Sequence, residues 1–330
     1  MPKPFHLVIS RMESVCTFVS SCGLLKSTGI HNREIRSSDP TLEREEFAKM
    51  TLGSIVYICN SAIKTFVQEI MPTVKDPFVL VSGDSDNDMP YGVLSEAEFA
   101  GFVEDNRLQH WFCQNLLITH PKMTPIPIGL DYHTMSKVGE PHPWGTGCTP
   151  LEQEAILKRC VLESPPAEER YLQCYSNFHH KAWGIGERGD RKEVVEKVSK
   201  EIVFYDPSYT PREVGWNRQS FFRFVLSPKG GGYDCHRTWE AICLGCIPIV
   251  KRSGLSPLYD DLPVLQVNDW SEVTGGLLYK TIDEFHTREF NLEKVKLDYW
   301  SQLFRYQSKQ CFIKGLTAAM LQGAERLQPV

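Results

Sequence analysis

The sequence predicts an α/β protein of two Rossmann-like domains, and three observations carry that prediction. Apolar runs of strand length alternate with helix-patterned segments in both halves of the 330 residues, as in parallel sheets covered by helices. A glycine- and proline-rich stretch, Gly139 to Pro150 (GEPHPWGTGCTP), interrupts the alternation near the middle and reads as a loop or linker. One β–loop–α–β unit, FFRFVLSPKGGGYDCHRTWEAICLGCIPIVKRSG over residues 221–254, concentrates glycine, cationic and acidic residues in its loop and helix start. Two domains are expected, residues 1–150 and 151–330.

Composition narrows the function classes. Apolar residues at 42% and charged ones at 23% are those of a soluble globular protein. A net charge of −5 argues against a general nucleic-acid binder and leaves room for a small anion held by a few local cations. Lys3, Arg11, Glu13 and Lys26 break the first 29 residues, so neither a transmembrane span nor a signal peptide is expected. Eleven cysteines, odd in number and without framework spacing, read as reduced thiols in a cytoplasmic protein. Cys243 and Cys246 form a C-x-x-C but lack a second ligand pair, so no zinc site is expected.

In chain order, Phe5 to Ile9 is strand-like. Thr41 to Met50 carries a helix-start pattern, Ser54 to Cys59 reads as a strand, and Ala62 to Ile70 as a helix. Pro77 to Ser82 is an apolar strand running into Gly83-Asp84-Ser85-Asp86-Asn87-Asp88. Acidic residues at the end of a buried strand suit a general base, Asp84 before Asp86 because it is nearer the strand end. The overlapping D-x-D pairs also suit a divalent cation. A phosphatase-type G-D-S-x-N-D loop needs an upstream D-x-D-x-(T/V) strand, which residues 1–76 do not supply; an Asx-rich turn is the structural alternative. Leu108 to Thr119 ends in His120-Pro121-Lys122, and His120 is a third candidate base or a packing histidine. Ile126 to Asp131 is an extended, proline-rich segment and turn.

In the second half, Thr149 or Pro150 starts a helix and Leu172 to Tyr175 is a strand with Asn177 at its carboxyl end. Gly184 to Gly189 is a loop carrying Arg188. Asp190 is placed to cap a helix over Arg191 to Lys200, where Arg188 and Arg191 reach a diphosphate or simply form a basic helix start. Ile202 to Tyr205 is a strand, Pro211 to Arg218 a helix start, and Pro263 to Val267 a further strand. Leu297 to Leu321 is helical in period and could cross back onto the first domain.

Within the central unit, Phe221 to Leu226 is a strand and Gly230-Gly231-Gly232 a loop where backbone approaches a ligand closely. Asp234 and Cys235 lead into a helix from His236 to Leu244, and Gly245 caps it before the strand Cys246 to Val250. Lys229, His236 and Arg237 stand at a loop and helix N-terminus that already favour anions. Glu240 lies one turn after His236, placed to accept sugar hydroxyls.

The run SPKGGGYDCHRTWEAICLGCIPIV, residues 227–250, resembles the C-terminal signature of exostosin-like glycosyltransferases, S-P-(K/R)-G-x-G-x-D-x-H-R-x-W-E-A-x-x-x-G-C-I-P-(I/V)-V. The resemblance implies a GT-B enzyme: two facing Rossmann-like domains, a nucleotide-sugar donor (UDP-linked by the family's leaning) in the second, and a glycan acceptor toward the first. It also implies that Arg237 and Lys229 face the diphosphate and Glu240 the ribose. The HPK…PIPIG run is similar to one in that family's first domain, leading to the cleft. Phosphate-binding groups without a firm metal motif point to a metal-independent transferase with no cofactor beyond its substrate, inverting through an Asp base. Two alternatives stay open: a metal-dependent transferase using Asp84 and Asp86, and a non-catalytic nucleotide-sugar binding module.

Overall fold

The structure, a computed structural model, describes residues 13–34, 36–178, 189–206 and 210–325. The strand expected at Phe5 to Ile9, and residues 184–188 with Arg188, lie outside them. The strands are β1 (Ile55–Cys59), β2 (Phe78–Gly83), β3 (Leu108–Gln114), β4 (Met123–Ile126), β5 (Pro141–His142), β6 (Gly145–Thr146), β7 (Tyr171–Ser176), β8 (Val203–Tyr205), β9 (Phe222–Leu226), β10 (Ile247–Lys251) and β11 (Leu265–Val267). The helices that bear on function are α1 (Glu96–Glu104), α2 (Pro150–Glu163), α3 (Arg191–Lys197), α4 (Arg212–Gln219), α5 (His236–Cys243), α6 (Gly275–His286) and α7 (Leu297–Glu325).

The chain divides into two compact units, Leu24–Ile126 with Asp298–Val330, and Met1–Gly23 with Pro127–Leu297. The division falls at Ile126/Pro127 and not near residue 150. The reason is local bonding: the glycine- and proline-rich stretch folds back within the second unit. Its β5–β6 hairpin is closed by Gly139 N–H to Gly147 O at 2.9 Å and tied to Met135 O through Cys148 N–H at 2.8 Å. Thr149 then begins α2 with a reciprocal cap, accepting from Glu152 N–H while the Glu152 carboxylate accepts from Thr149.

The N-terminal unit is a parallel sheet in the order β1-β2-β3-β4. Every residue of β2 is buried, so Phe78 to Gly83 reads as a continuous apolar run without polar alternation. Phe66, on the crossover from β1 to β2, packs edge-on against Phe47, Phe78 and Phe102 at 6.1, 5.9 and 6.2 Å. Helix α7 belongs to this unit. Phe304 packs at a tilt against Phe112 with centroids 4.7 Å apart, and Ser301 and Ser308 bond Ser27 Oγ and Gly53 O. The return of the last helix to the first unit therefore matches the sequence expectation. The helix at 41–50 shrinks to Arg44–Phe47: Thr41 turns its N–H and hydroxyl to Asp39 and caps nothing.

The C-terminal unit is a parallel sheet in the order β11-β10-β9-β7-β8. Numbered along the chain from β7, this is 2-1-3-4-5, a doubly wound arrangement whose order reverses between β7 and β9. A crevice opens at such a reversal, outside the carboxyl ends of the two strands. Both units are thus Rossmann-like. Among the described residues no helix is long and apolar enough to cross a membrane, and no three His, Cys, Asp or Glu side chains converge to hold a metal ion. All eleven cysteines are free thiols.

Candidate functional site

The carboxyl ends of β7 and β9 carry Asn177 and Ser227 to Gly232, so the reversal point is lined by the loop singled out in the sequence. Helix α5 starts there. Its inner face buries Trp239, Ala241 and Ile242, and the Trp239 ring contributes roughly 5 kcal/mol of apolar burial. Its far end stops at Gly245, with φ +72°, where the Arg170 guanidinium donates to Leu244 O and Gly245 O at 3.0 and 2.9 Å.

The cations gather at the near end. Arg237 donates from Nη1 to Pro228 O at 2.8 Å and lies over the Phe178 ring, 6.0 Å from its centroid, so it bridges the ends of β7 and β9. Among the described residues no carboxylate forms an ion pair with it. Lys229 places its ammonium 3.6 Å from the Tyr233 ring centroid. Arg191, only 9% exposed, approaches the loop so closely that a Cβ on Gly230 would sit 2.9 Å from its Nη2. A side chain at Gly230 would have to displace the Arg191 guanidinium from the loop.

Asp190, expected as a helix cap, makes no cap hydrogen bond. Its carboxylate accepts from Trp270 Nε1 at 2.6 Å and from the Lys229 N–H, which ties the glycine loop to the start of α3. Burial, the largest influence, raises its pKa although both donors pull it down.

Asp234 is not an open carboxylate on this crevice. Asp234, 2% exposed, accepts from Ile128 N–H at 2.6 Å, Trp239 Nε1 at 2.9 Å, Tyr259 Oη at 2.8 Å and Cys235 N–H at 3.0 Å. Burial pushes its pKa up to about 6 against the pull of those donors. It is a brace between the 127–135 segment and α5, not a ligand-facing group. Glu240 on α5 is 8% exposed. Burial raises its pKa, Arg212 and Arg237 lower it, and Asp131 adds a further rise.

A further cluster, around Arg212, was not legible in the sequence. Arg212, 9% exposed in its side chain, donates to Asp131 O at 2.6 Å and to Gln153 Oε1 at 2.8 Å, and pairs with Asp131 Oδ2 at 3.3 Å. Its guanidinium stands between two indoles, 5.1 Å from the Trp144 centroid and 5.5 Å from that of Trp216. These three residues border a cavity of about 120 Å³. His133 Nδ1 lies 3.3 Å from Asp131 Oδ1, and the His133 and His236 rings are 5.9 Å apart.

His236 donates from Nδ1 to Gly129 O at 2.7 Å, which leaves Nε2 as its unprotonated nitrogen when neutral. Burial lowers its pKa, and Asp131 raises it in opposition. Burial alone would raise the Asp131 pKa, but His133, His236 and Arg212 together hold it well below the usual carboxylate range. Gly129 sits at φ +67°, where a Cβ would fall 2.3 Å from Val19 O.

In the N-terminal unit, Asp84 follows β2 at the carboxyl edge of the sheet, 8% exposed and at φ +57°. Its N–H donates to Gln114 Oε1 at 2.8 Å, and Ser37 Oγ donates to its Oδ1 at 3.0 Å. Left-handed backbone at a non-glycine residue stores strain and aims the side chain off the strand line. It borders a small pocket lined by Asn32, Arg36, Asp39, Tyr57 and Cys59. Asp86 is exposed on the loop beyond.

His120 is not brought to this edge. It precedes β4, its Nδ1 accepts from Lys122 N–H at 3.2 Å, and its ring packs edge-on to Phe99. Lys122 in turn bonds Val103 O and Asp105 O, ahead of β3, which marks this as the amino edge of the sheet. The packing reading of His120 fits and the base reading does not.

No family model matches the sequence, and a search among curated proteins finds no relative. Among solved structures, the chain is similar to an α,α-trehalose 6-phosphate synthase from Burkholderia multivorans, at 9% identity over 87% of this chain and 75% of that one, TM-score 0.40. It is also similar to an α1,3-fucosyltransferase with GDP-fucose, at 11% identity over 88% and 96%, TM-score 0.38. A UDP-forming α,α-trehalose-phosphate synthase from Burkholderia vietnamiensis matches at 9% identity over 97% and 81%, TM-score 0.34.

Proposed function

We propose that this chain is a glycosyltransferase of the GT-B class that takes its sugar from a nucleoside diphosphate. One observation carries the reading: Arg237, Lys229, Arg191, the glycine loop and the N-terminus of α5 meet where strand order reverses between β7 and β9. A diphosphate is the substrate group that uses two or three convergent cations plus free helix N–H groups. Those groups stabilise the charge that develops on the leaving nucleotide. The resemblance of residues 227–250 to the exostosin-like signature supports the same class.

The donor is proposed to lie along α5, its diphosphate toward Arg237 and its ribose toward Glu240. The acceptor is proposed to be a sugar hydroxyl of a glycan, with Asp84 as the base that takes its proton. Asp84 is preferred over Asp86 because its carboxylate is held by Ser37 Oγ at the strand end, whereas Asp86 is exposed on the loop beyond.

Release of UDP or GDP from a panel of nucleotide sugars, with and without EDTA, tests the activity. One donor is expected to turn over. Asp84→Asn is expected to cut kcat by ~10² to 10⁴ with nucleotide affinity unchanged, the effect of losing a general base. Full activity in both Asp84→Asn and Asp86→Asn would remove this loop from the mechanism, and loss with EDTA would favour a metal-dependent reaction. Nucleotide binding with no release from any donor would favour a binding module.

A further inference from the structure

Helix α7 meets the N-terminal sheet with one face. Trp300, Phe304 and Cys311 are buried along it, and Gly315 packs so closely that a Cβ there would fall 2.5 Å from Leu52 Cδ1. The opposite face of a helix docked in this way is ordinarily polar. Here it is not. Tyr306, Lys309, Ile313, Leu316 and Met320 recur at alternating intervals of three and four residues, a single stripe about four turns long. All five are exposed, Tyr306 at 58% and Met320 at 73%, and the exposed Phe312 adjoins them. The helix therefore carries apolar side chains on both sides, and the sheet covers one.

The charge on this face has one sign. Between Tyr299 and Ala324 the charged residues are Arg305, Lys309 and Lys314, and carboxylates stand only at the helix ends, Asp298 and Glu325. The three cations are exposed, and among the described residues none of them forms an ion pair. The whole chain carries a net charge of −5, so the stripe is a local reversal of sign. A second copy of the chain fits it poorly. Two-fold symmetry sets the cationic stripe against itself, with no carboxylate in that stretch to pair across. A bilayer with anionic headgroups fits both properties: apolar side chains enter the acyl boundary, while Lys and Arg stems lie along it with their charges at the phosphates.

We propose that the outer face of α7, from Arg305 to Met320, is a docking surface for an anionic membrane. The helix lies in the plane of the interface and does not cross it, in keeping with its failure to form a span long and apolar enough. Attachment by this face does not depend on nucleotide binding.

Co-sedimentation of the full chain with vesicles tests the surface, using phosphatidylcholine alone and phosphatidylcholine with about 30% phosphatidylglycerol. Binding is expected to the anionic vesicles and not to the neutral ones, and to fall steeply as salt rises to about 1 M, where screening shortens to ~3 Å. Arg305→Gln with Lys309→Gln is expected to weaken partitioning ~25-fold, about fivefold for each cation. Ile313→Ser with Leu316→Ser is expected to weaken it ~10-fold or more. Lys280→Gln removes an exposed cation on α6 and is expected to change nothing.

Unfolding curves of each variant show whether the helix still docks. Should the Ile313 and Leu316 pair disturb it, Met320→Ser, at a more exposed position, is expected to weaken partitioning about threefold on its own. Equal binding to both vesicle types, or no binding to either at low salt, overturns the proposal. So does anionic binding that neither double variant weakens. A concentration-dependent dimer in sedimentation, lost in Ile313→Ser with Leu316→Ser, overturns it in favour of a second copy of the chain.

Discussion

Arg237→Ala is expected to lower kcat/KM for the nucleotide sugar by ~10² or more and to weaken nucleoside diphosphate binding at least tenfold. The guanidinium is the cation that spans the two strand ends, held by Pro228 O and the Phe178 face, and free of an ion pair among the described residues. It is therefore charged and oriented before any ligand arrives. Charge-assisted bonds to a diphosphate are worth about 1.5–3 kcal/mol each, and tenfold corresponds to about 1.4 kcal/mol. The planar fork accounts for the further expectation that Arg237→Lys recovers only part of the loss. Calorimetric affinity alongside initial rates checks both. A rate within about threefold of wild type in Arg237→Ala would take the diphosphate away from this crevice.

Asp234→Ala is expected to destabilise the fold by about 4 kcal/mol, because it strands buried donors on Ile128, Trp239 and Tyr259 at a cost of about 1–3 kcal/mol each before water relieves any of them. Asp234→Asn keeps acceptor oxygen in place and removes a buried charge, so it should cost much less at neutral pH. The pH dependence has a definite sign. The folded pKa of about 6 stands above the unfolded value near 4, so the folded state binds the extra proton. The contribution of this group to stability is full below about pH 4 and is lost as pH rises through 6. Denaturant unfolding at pH 5 and 7.5 should show that loss in wild type and not in Asp234→Asn. Equal stabilities of Asp234→Ala and wild type would deny the brace.

Much of this architecture was legible in the sequence, for physical reasons that differ by region. Strands buried on both faces, such as β2 and β9, read as unbroken apolar runs, and Gly245 and Thr149 marked helix ends through conformations and caps that other residues fill poorly. The glycine loop and Arg237 were legible because their neighbours in space are neighbours in sequence. The Arg212 cluster was not: Asp131, Gln153 and Arg212 come from three separate segments, and only tertiary packing brings them together.

Asp190 and Asp234 were misread for a related reason. Each sits where a cap or a ligand contact is common, yet a tryptophan far along the chain or a distant backbone N–H claims the carboxylate. The glycine- and proline-rich stretch looked like a linker because its bonds run to Met135 and to its own hairpin strands, which composition does not reveal.

Amide NMR of the protein titrated with UDP and GDP is the most direct measurement on the central claim, that the reversal point between β7 and β9 holds a nucleoside diphosphate. The account predicts saturable shifts at Lys229 to Gly232 and at Cys235 to Arg237, with a further shift at Glu240 as the ribose meets it. Saturable binding whose shifts leave residues 229–237 unmoved, or no binding of either nucleotide, would contradict it.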